Sequence, residues 1–148
     1  MGHHTFRYAV YPHQGSFNES SVVREAYQFN LPLVQLPVDF GAVSESTNIA
    51  GTKPLFTVEG APNVVLDTVK KAEDGDGHII VRLYEAYGGR AKATLSTSLD
   101  VAGQAHLTNI LEEPTDSVNL VASAAGRMSA EIALKPFQII TLRLALRN

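Results

Sequence analysis

The stretches MSAEIAL (residues 128–134) and ITLRLAL (residues 140–146) decide the fold of this chain. In both, an apolar side chain occupies every second position, and polar or small residues stand between them. Side chains on a β-strand alternate between the two faces of a sheet with this period of two. Each stretch is therefore predicted to be a strand with one face on a core and the other toward solvent or a neighbour.

From Leu55 onward the chain consists of short strand-like segments separated by turn-forming residues. Strands are predicted at residues 55–59, 64–72, 78–86, 91–100, 105–112, 118–123, 127–134 and 138–147. Turns are predicted at residues 60–63, 74–77, 88–89, 102–104, 113–116 and 125–126. Strands at this spacing, without long helical patterns between them, favour an all-β antiparallel β-sandwich over a doubly wound parallel sheet.

The N-terminal third has a different pattern. Residues 5–11 alternate like a strand, and residues 18–30 carry apolar side chains at helical spacing. Residues 41–54 are rich in Gly, Ser, Thr, Asn and Pro, which is typical of a loop. The chain is therefore predicted to have a short helix-containing N-terminal extension at 1–54 and a β-sandwich domain at 55–148.

Composition limits the classes of function. The chain has 148 residues, no cysteine and a formal net charge of −3, with acids and bases interspersed. Without cysteine it has no disulfide or thiolate metal site, and a reducing, cytoplasmic location is favoured. A basic stripe for nucleic acid and an apolar run for a membrane span are both missing from the sequence. Met1–His4 is expected to be an expression-tag remnant, so that the native protein begins elsewhere.

Paired carboxylates are the first catalytic arrangement to consider, because glycosidases place two of them across the scissile bond. Glu112 and Glu113 are adjacent at a predicted strand end, and neighbouring side chains on a strand diverge. They therefore make a poor acid–base couple, and no catalytic residue is predicted. The acidic candidates are Asp67, Glu85, Glu112 and Glu113.

Metal and nucleotide motifs are also missing from the sequence. The five histidines form no His-x-x-x-His or Glu-x-x-His pattern. Residues 74–77 (DGDG) resemble part of a calcium loop but lack its closing glutamate, so a hairpin turn is predicted there. The chain has no nucleophile elbow, P-loop or Rossmann fingerprint. We therefore predict no metal ligands and no cofactor in this chain.

The chemically richest segment is RLYEAY, residues 82–87. As a strand it would place Arg82 and Tyr84 on one face and Glu85 on the other. Arg beside aromatic rings suits sugar hydroxyls or a contact between domains, whereas a cross-strand ion pair with an edge tyrosine is the structural alternative. His13, in the cluster at residues 11–15, is either a solvent-facing turn residue or a functional one. These alternatives make Arg82, Tyr84, Glu85 and His13 the candidate interface or sugar-proximal residues.

Six segments share the order and spacing of motifs in one enzyme family. They are FRYAVYPHQGSF (6–17), VREAYQFNLPL (23–33), VLDTVKKAE (65–73), RLYEAYG (82–88), NILE (109–112) and PFQIITL (136–142). Together they resemble the C-terminal end of glycoside hydrolase family 38 α-mannosidases, and most of all the cytosolic-type branch. The likeness covers nearly the whole chain.

The resemblance implies a role as part of a larger enzyme. In that family, zinc and the catalytic aspartates belong to a large N-terminal α/β domain, on which C-terminal β-sandwich modules pack. It implies a parent that cleaves α-mannosides in mannose metabolism with zinc and retention of configuration, whereas this chain has none of the metal or nucleophile motifs.

The expected partners are the catalytic and other domains of that parent, with residues 1–54 belonging to its preceding β domain, and self-association is a further possibility. A stand-alone carbohydrate-binding module is the alternative. The absence of tryptophan and the core-like positions of most tyrosines and phenylalanines count against it.

Overall fold

The computed structural model of the chain describes residues 2–35, 54–123 and 126–147. Residues 1–48 and 49–148 form two compact units. The described part of the first unit contains a 3-10 turn, Phe17–Glu19, and the helix α1, Val22–Asn30. The second contains the strands β1 (Phe56–Glu59), β2 (Val64–Lys71), β3 (His78–Glu85), β4 (Ala91–Thr97), β5 (Val101–Thr108), β6 (Pro114–Asn119), β7 (Val121–Ala122), β8 (Met128–Leu134) and β9 (Ile139–Leu146).

The strands of the second unit form two antiparallel sheets. One has four strands in the order β1-β4-β8-β7, and the other has five in the order β2-β3-β9-β5-β6. Every strand pair in both sheets is antiparallel. The prediction of an all-β antiparallel sandwich with a short helix near the N-terminus is confirmed.

The core lies between the two sheets and follows from the alternation in β8 and β9. Ile132 of β8 is 5% exposed, whereas Leu142 of β9 is completely buried. Burying one such side chain contributes about 1.5–3 kcal/mol relative to leaving it in water. Both sheets supply residues to one apolar cluster, which includes Val81, Leu83, Leu95, Val101, Ile132, Leu134, Ile140, Leu142 and Leu144.

Two predicted turns were wrong, because residues 102–104 lie in β5 and residues 114–116 lie in β6. Gly103 lies inside β5. The pairing of β5 with β9 shifts register between Val101 and Ala105, so the turn-forming residues form an irregularity within the strand instead of a turn. Pro114 is the first residue of β6, an edge strand, where a missing N–H is tolerated. The predicted strands 105–112 and 118–123 are accordingly replaced by β5, β6 and β7.

The first unit differs from its prediction at residues 5–11, which form no strand. A strand needs a hydrogen-bonded neighbour, and the described part of this unit offers none. Instead Arg7 donates a hydrogen bond to the carbonyl oxygen of Phe29, at 3.1 Å, and lies 5.0 Å from the centre of its ring. The helix predicted for 18–30 is confirmed from Val22 onward, after the 3-10 turn. None of residues 2–35 is buried.

The predicted loop at 41–54 lies, apart from Pro54, outside the described residues. The boundary between 1–54 and 55–148 therefore stays a prediction.

We expect the Leu142→Ala substitution to lower the free energy of unfolding by about 2–5 kcal/mol, because it opens a cavity between the sheets. Urea denaturation of the whole chain measures this loss. Leu146→Ala is the matched control on the same strand, since Leu146 is 39% exposed and loses less burial. Equal losses for the two variants would contradict the assigned core.

Candidate functional site

The candidate residues on β3 are divided between the two faces of the five-stranded sheet. Glu85 shares the inner face with Val81 and Leu83, both completely buried. Arg82 lies on the outer face and is paired in register with Thr141 of β9. Its Nε donates a hydrogen bond of 3.2 Å to the Thr141 hydroxyl oxygen. Tyr84 lies on the same outer face, opposite Ile139 of β9.

Glu85 ends β3, and its carboxylate binds three loops together. Its side chain is almost completely buried, with 1% of the residue exposed. Oε1 accepts hydrogen bonds from the Asn63 side-chain amide at 2.8 Å and from the Tyr87 N–H at 2.9 Å. Oε2 accepts from the Gly88 N–H at 2.8 Å and the Phe137 N–H at 2.9 Å. One carboxylate thus joins the turns before β2, after β3 and before β9.

Burial and hydrogen bonding act in opposite directions on the acidity of Glu85. Burial raises the pKa of its carboxyl group, because a charged group loses hydration. The donations from Phe137, Tyr87, Asn63 and Gly89 together outweigh burial and lower the pKa from 4.5 to about 2. The group is therefore a carboxylate at neutral pH and holds its loops as an anion.

Phe137 and Gly88 form the outer part of this loop junction. A Cβ atom on Gly88 would lie 2.7 Å from the Phe137 ring, so the ring would have to move to admit any other residue. Gly88 also has a φ of +77°, which glycine adopts readily. Phe137 has a φ of 56° although it is not a glycine, a conformation that costs about 1–3 kcal/mol and persists only where neighbours enforce it. Phe137 as a whole residue remains 71% exposed.

Glu112 forms a second buried carboxylate site, in the loop between β5 and β6. It accepts hydrogen bonds from Lys70 Nζ at 2.7 Å and from the Glu73 N–H at 2.9 Å. The bond from Lys70 lowers the pKa of Glu112, and Glu112 in turn raises the pKa of Lys70. Because β3 and β9 separate β5 from β2, this loop reaches back over the outer face of the sheet. Glu113, its sequence neighbour, accepts instead from Asn109 Nδ2, at 2.7 Å.

The turn predicted at residues 74–77 connects β2 to β3 as expected. Its two aspartates, Asp74 and Asp76, both accept hydrogen bonds from Arg143 of β9, each at 2.5 Å. Asp74 makes the largest contribution to raising the pKa of Arg143. The negative charge of the acidic turn is thus partly offset by a buried arginine.

His13 lies in the first unit, whereas Arg82, Tyr84 and Glu85 lie in the second. Its ring stacks on that of Tyr11, with the centres 6.3 Å apart. The Tyr11 hydroxyl is also hydrogen-bonded to Ser21 at 2.7 Å, which ties this cluster to the start of α1.

The described residues contain no group of three or more His, Asp or Glu side chains able to hold a metal ion. Within the same residues, no helix combines the length and apolar character needed to span a bilayer. The buried carboxylates of Glu85 and Glu112 both accept hydrogen bonds from donors of their own domain. The arrangement can therefore stabilise the loops that these carboxylates join.

Sequence reasoning identified Glu85 but missed its partners Asn63, Gly88 and Phe137. Turns were predicted at Asn63 and Gly88, but none was predicted at Phe137. The convergence of the three positions on Glu85 could not be predicted, because Phe137 is 52 residues from Glu85 in the sequence.

Fold and site together define a β-sandwich domain whose buried acids organise loops. Residues 63–142 match the family model described as the glycosyl hydrolases family 38 C-terminal beta sandwich domain. The match covers more than half of the chain, and the chain belongs to this family. The resemblance seen in the sequence is thereby confirmed.

Three alpha-mannosidases are similar to this chain over 97% or more of its length. The chain is 38% identical to alpha-mannosidase 2C1 of Mus musculus, over 100% of this chain and 13% of that protein. It is 36% identical to alpha-mannosidase 2C1 of Homo sapiens, over 99% and 13%. It is 34% identical to alpha-mannosidase G of Dictyostelium discoideum, over 97% and 12%. The chain therefore spans about an eighth of the length of these relatives.

We expect Glu85→Gln to lower the free energy of unfolding by about 1–3 kcal/mol at pH 7, because the amide nitrogen of glutamine meets N–H donors instead of accepting from them. The folded-state pKa of Glu85 is below its ordinary value, so its stabilising contribution is complete above about pH 4.5 and is lost as pH falls toward about 2. The difference between wild type and variant in urea denaturation should shrink over that pH range.

Glu131→Gln is the control for this experiment, since its side chain is 72% exposed on β8. It should change the free energy of unfolding little at any pH. A Glu85→Gln variant that matches this control at pH 7 would show that the carboxylate does not hold the loops.

Proposed function

We propose that the chain acts as the non-catalytic C-terminal β-sandwich portion of a zinc-dependent retaining α-mannosidase, which it supports by packing against the catalytic domain. The observation that carries the proposal is the alignment of the whole chain with about an eighth of proteins named alpha-mannosidase. We call that longer polypeptide the parent enzyme.

The buried acids support a non-catalytic role. A retaining glycosidase needs two carboxyl groups that face a substrate about 5 Å apart. The oxygens of Glu85 accept from loops of the same domain, and those of Glu112 accept from Lys70 and the Glu73 N–H. The described residues also do not assemble a donor set for zinc. We therefore assign both the reaction and the metal to other parts of the parent enzyme.

We place the parent enzyme in the cytoplasm, with a role in mannose metabolism. A chain without cysteine suits a reducing compartment. The likeness to the alpha-mannosidases 2C1 supports the same placement, through the resemblance to the cytosolic-type branch.

The isolated chain should not hydrolyse an aryl α-mannoside in the presence of zinc or cobalt, whereas the intact parent enzyme should. A chromogenic assay measures both, and a cooperative urea transition checks that the isolated chain is folded. Metal-dependent turnover that co-elutes with the isolated chain in size-exclusion chromatography would contradict the proposal. Saturable binding of mannosides without turnover would favour the carbohydrate-binding alternative.

The first unit supports a proposal of self-association when the chain is separated from its parent. Its exposed apolar side chains include Phe6, Tyr8, Val10, Leu31, Leu33 and Val34, a set that a soluble surface does not usually leave uncovered. We expect light scattering to give a mean mass above that of a monomer, falling toward it in a Phe6→Ser, Tyr8→Ser, Leu33→Ser variant. Val121→Ser is the control. A strictly monomeric wild-type chain would contradict this expectation.

A further inference from the structure

A groove of about 420 Å³ opens at the end of the four-stranded sheet where β4 begins and β8 ends. Its lining contains three cationic side chains, which belong to Arg90, Lys92 and Lys135. The other described residues that line it are uncharged, and one of them is Gln138. We call this cavity the basic groove. Its volume lies within the range that is typical of small-molecule sites.

The register of β4 and β8 accounts for the position of these cations. Ala91 is paired with Leu134, and both are buried in the core between the sheets. Lys92, one position later, is paired with the exposed Ala133, because successive side chains of a strand lie on opposite faces. The other two cations each follow on from a strand by one residue, and both are exposed. The small side chain of Ala133 therefore leaves space among longer, positively charged ones.

The protein itself compensates the positive charge of the basic groove only weakly. Lys92 Nζ lies 3.7 Å from Glu131 Oε1, but the two side chains are 77% and 72% exposed, and an exposed pair of this kind contributes little. Among the described residues, neither Arg90 nor Lys135 forms an ion pair. The groove is thus a positive site in a chain whose formal net charge is −3. An anion bound there would relieve the repulsion between its cations.

The turn before β9, which supplies part of the lining, has a fixed conformation. The Gln138 N–H donates to the carbonyl oxygen of Lys135 at 3.1 Å, and the positive φ of Phe137 after Pro136 is typical of a type II turn. Glu85 connects the turn to β3 in two ways, because its carboxylate accepts from the Phe137 N–H and its own N–H donates to the carbonyl oxygen of Gln138. Side chains on such a turn are preorganised, which lowers the entropic cost of binding.

The side chain of Gln138 is oriented by this turn. Its Oε1 accepts a hydrogen bond from the Lys135 N–H at 2.9 Å, whereas its Nε2 forms no hydrogen bond with any described residue. The amide nitrogen carries two N–H donors. Together with the planar guanidinium of Arg90 and the two ammonium groups, it makes the basic groove a set of donors for charge-assisted hydrogen bonds. A phosphate group presents more acceptor oxygens to such a set than a carboxylate does.

We propose that the basic groove binds a phosphate group, which belongs either to inorganic phosphate or to a small phosphomonoester such as a sugar phosphate. Arg90, Lys92 and Lys135 supply the positive charge, and the amide nitrogen of Gln138 supplies a neutral donor. The inference concerns this domain alone and does not depend on the proposed function.

NMR spectroscopy of the ¹⁵N-labelled chain, titrated with inorganic phosphate, tests the inference. Chloride replaces phosphate at constant ionic strength, so that general screening of charge does not change during the titration. Amide resonances of residues 90–92 and 133–138 should shift in a saturable manner with one common Kd. Resonances of β2 should stay in place, because that strand lies in the other sheet.

Two variants of the basic groove provide the second arm. Gln138→Glu keeps an oxygen that accepts from the Lys135 N–H, but it replaces the amide donor by a negative charge. Lys135→Gln removes one positive charge. Each should raise the Kd for phosphate at least about tenfold, because a charge-assisted hydrogen bond is lost. Urea denaturation checks that both variants fold.

Lys71→Gln is the matched control, since it removes one positive charge from an exposed position on β2. It should change the Kd by less than about twofold, because exposed charges outside the site are screened by salt. A loss of affinity equal to that of Lys135→Gln would show general attraction of anions and would overturn the inference.

Further ligands distinguish the sources of the phosphate group. A hexose 6-phosphate that binds more tightly than inorganic phosphate would support a sugar phosphate as the ligand, whereas equal affinities would support free phosphate. The inference is overturned if phosphate causes no saturable shift at residues 90–92 and 133–138. It is also overturned if a peptide of six aspartates binds there and neither phosphate compound does, since the groove would then recognise an acidic polypeptide.

Discussion

The Glu85 carboxylate is the interaction on which one end of the sandwich depends. A buried carboxylate is costly unless several donors replace its lost water, and here backbone N–H groups supply most of them. Those donors come from loops that are distant in sequence, so the loops cannot move independently. The exposed Phe137 ring owes its position to this same anion, because Glu85 holds the backbone that carries it. A buried charge is thereby connected to an exposed apolar surface.

The parts of the fold that could be predicted are those specified by local alternation. Residues 128–134 match β8 from end to end, because one face of that strand must be buried. Residues 5–11 alternate equally well but form no strand, since a strand also needs a neighbour to pair with. Gly103 was interpreted as a turn because glycine suits turns and ladder irregularities alike. Only the pairing of β5 with β9 shows that Gly103 lies in a strand irregularity and not in a turn.

The candidate site could be predicted only in outline. The sequence indicated that Glu85 was unusual in its strand, but its donors lie up to 52 residues away. The same holds for Glu112, whose partner Lys70 lies on the strand at the opposite edge of the five-stranded sheet. Long-range polar contacts of this kind depend on the register of several strands, which no local pattern encodes. Arg82, Tyr84 and His13 remain candidates, because the structure gives them positions but not roles.

The edge strands of the two sheets also limit how copies of this domain can aggregate. An open sheet edge attracts foreign strands through its unpaired backbone groups. Here β7 has only two residues, β6 opens with Pro114 and carries Asp116, and β2 carries Lys70 and Lys71. A short strand, a proline and charged side chains are all features that discourage edge-to-edge growth into fibrils. A long polypeptide that exposes such a domain while it is being synthesised therefore carries less risk of misassembly through its backbone.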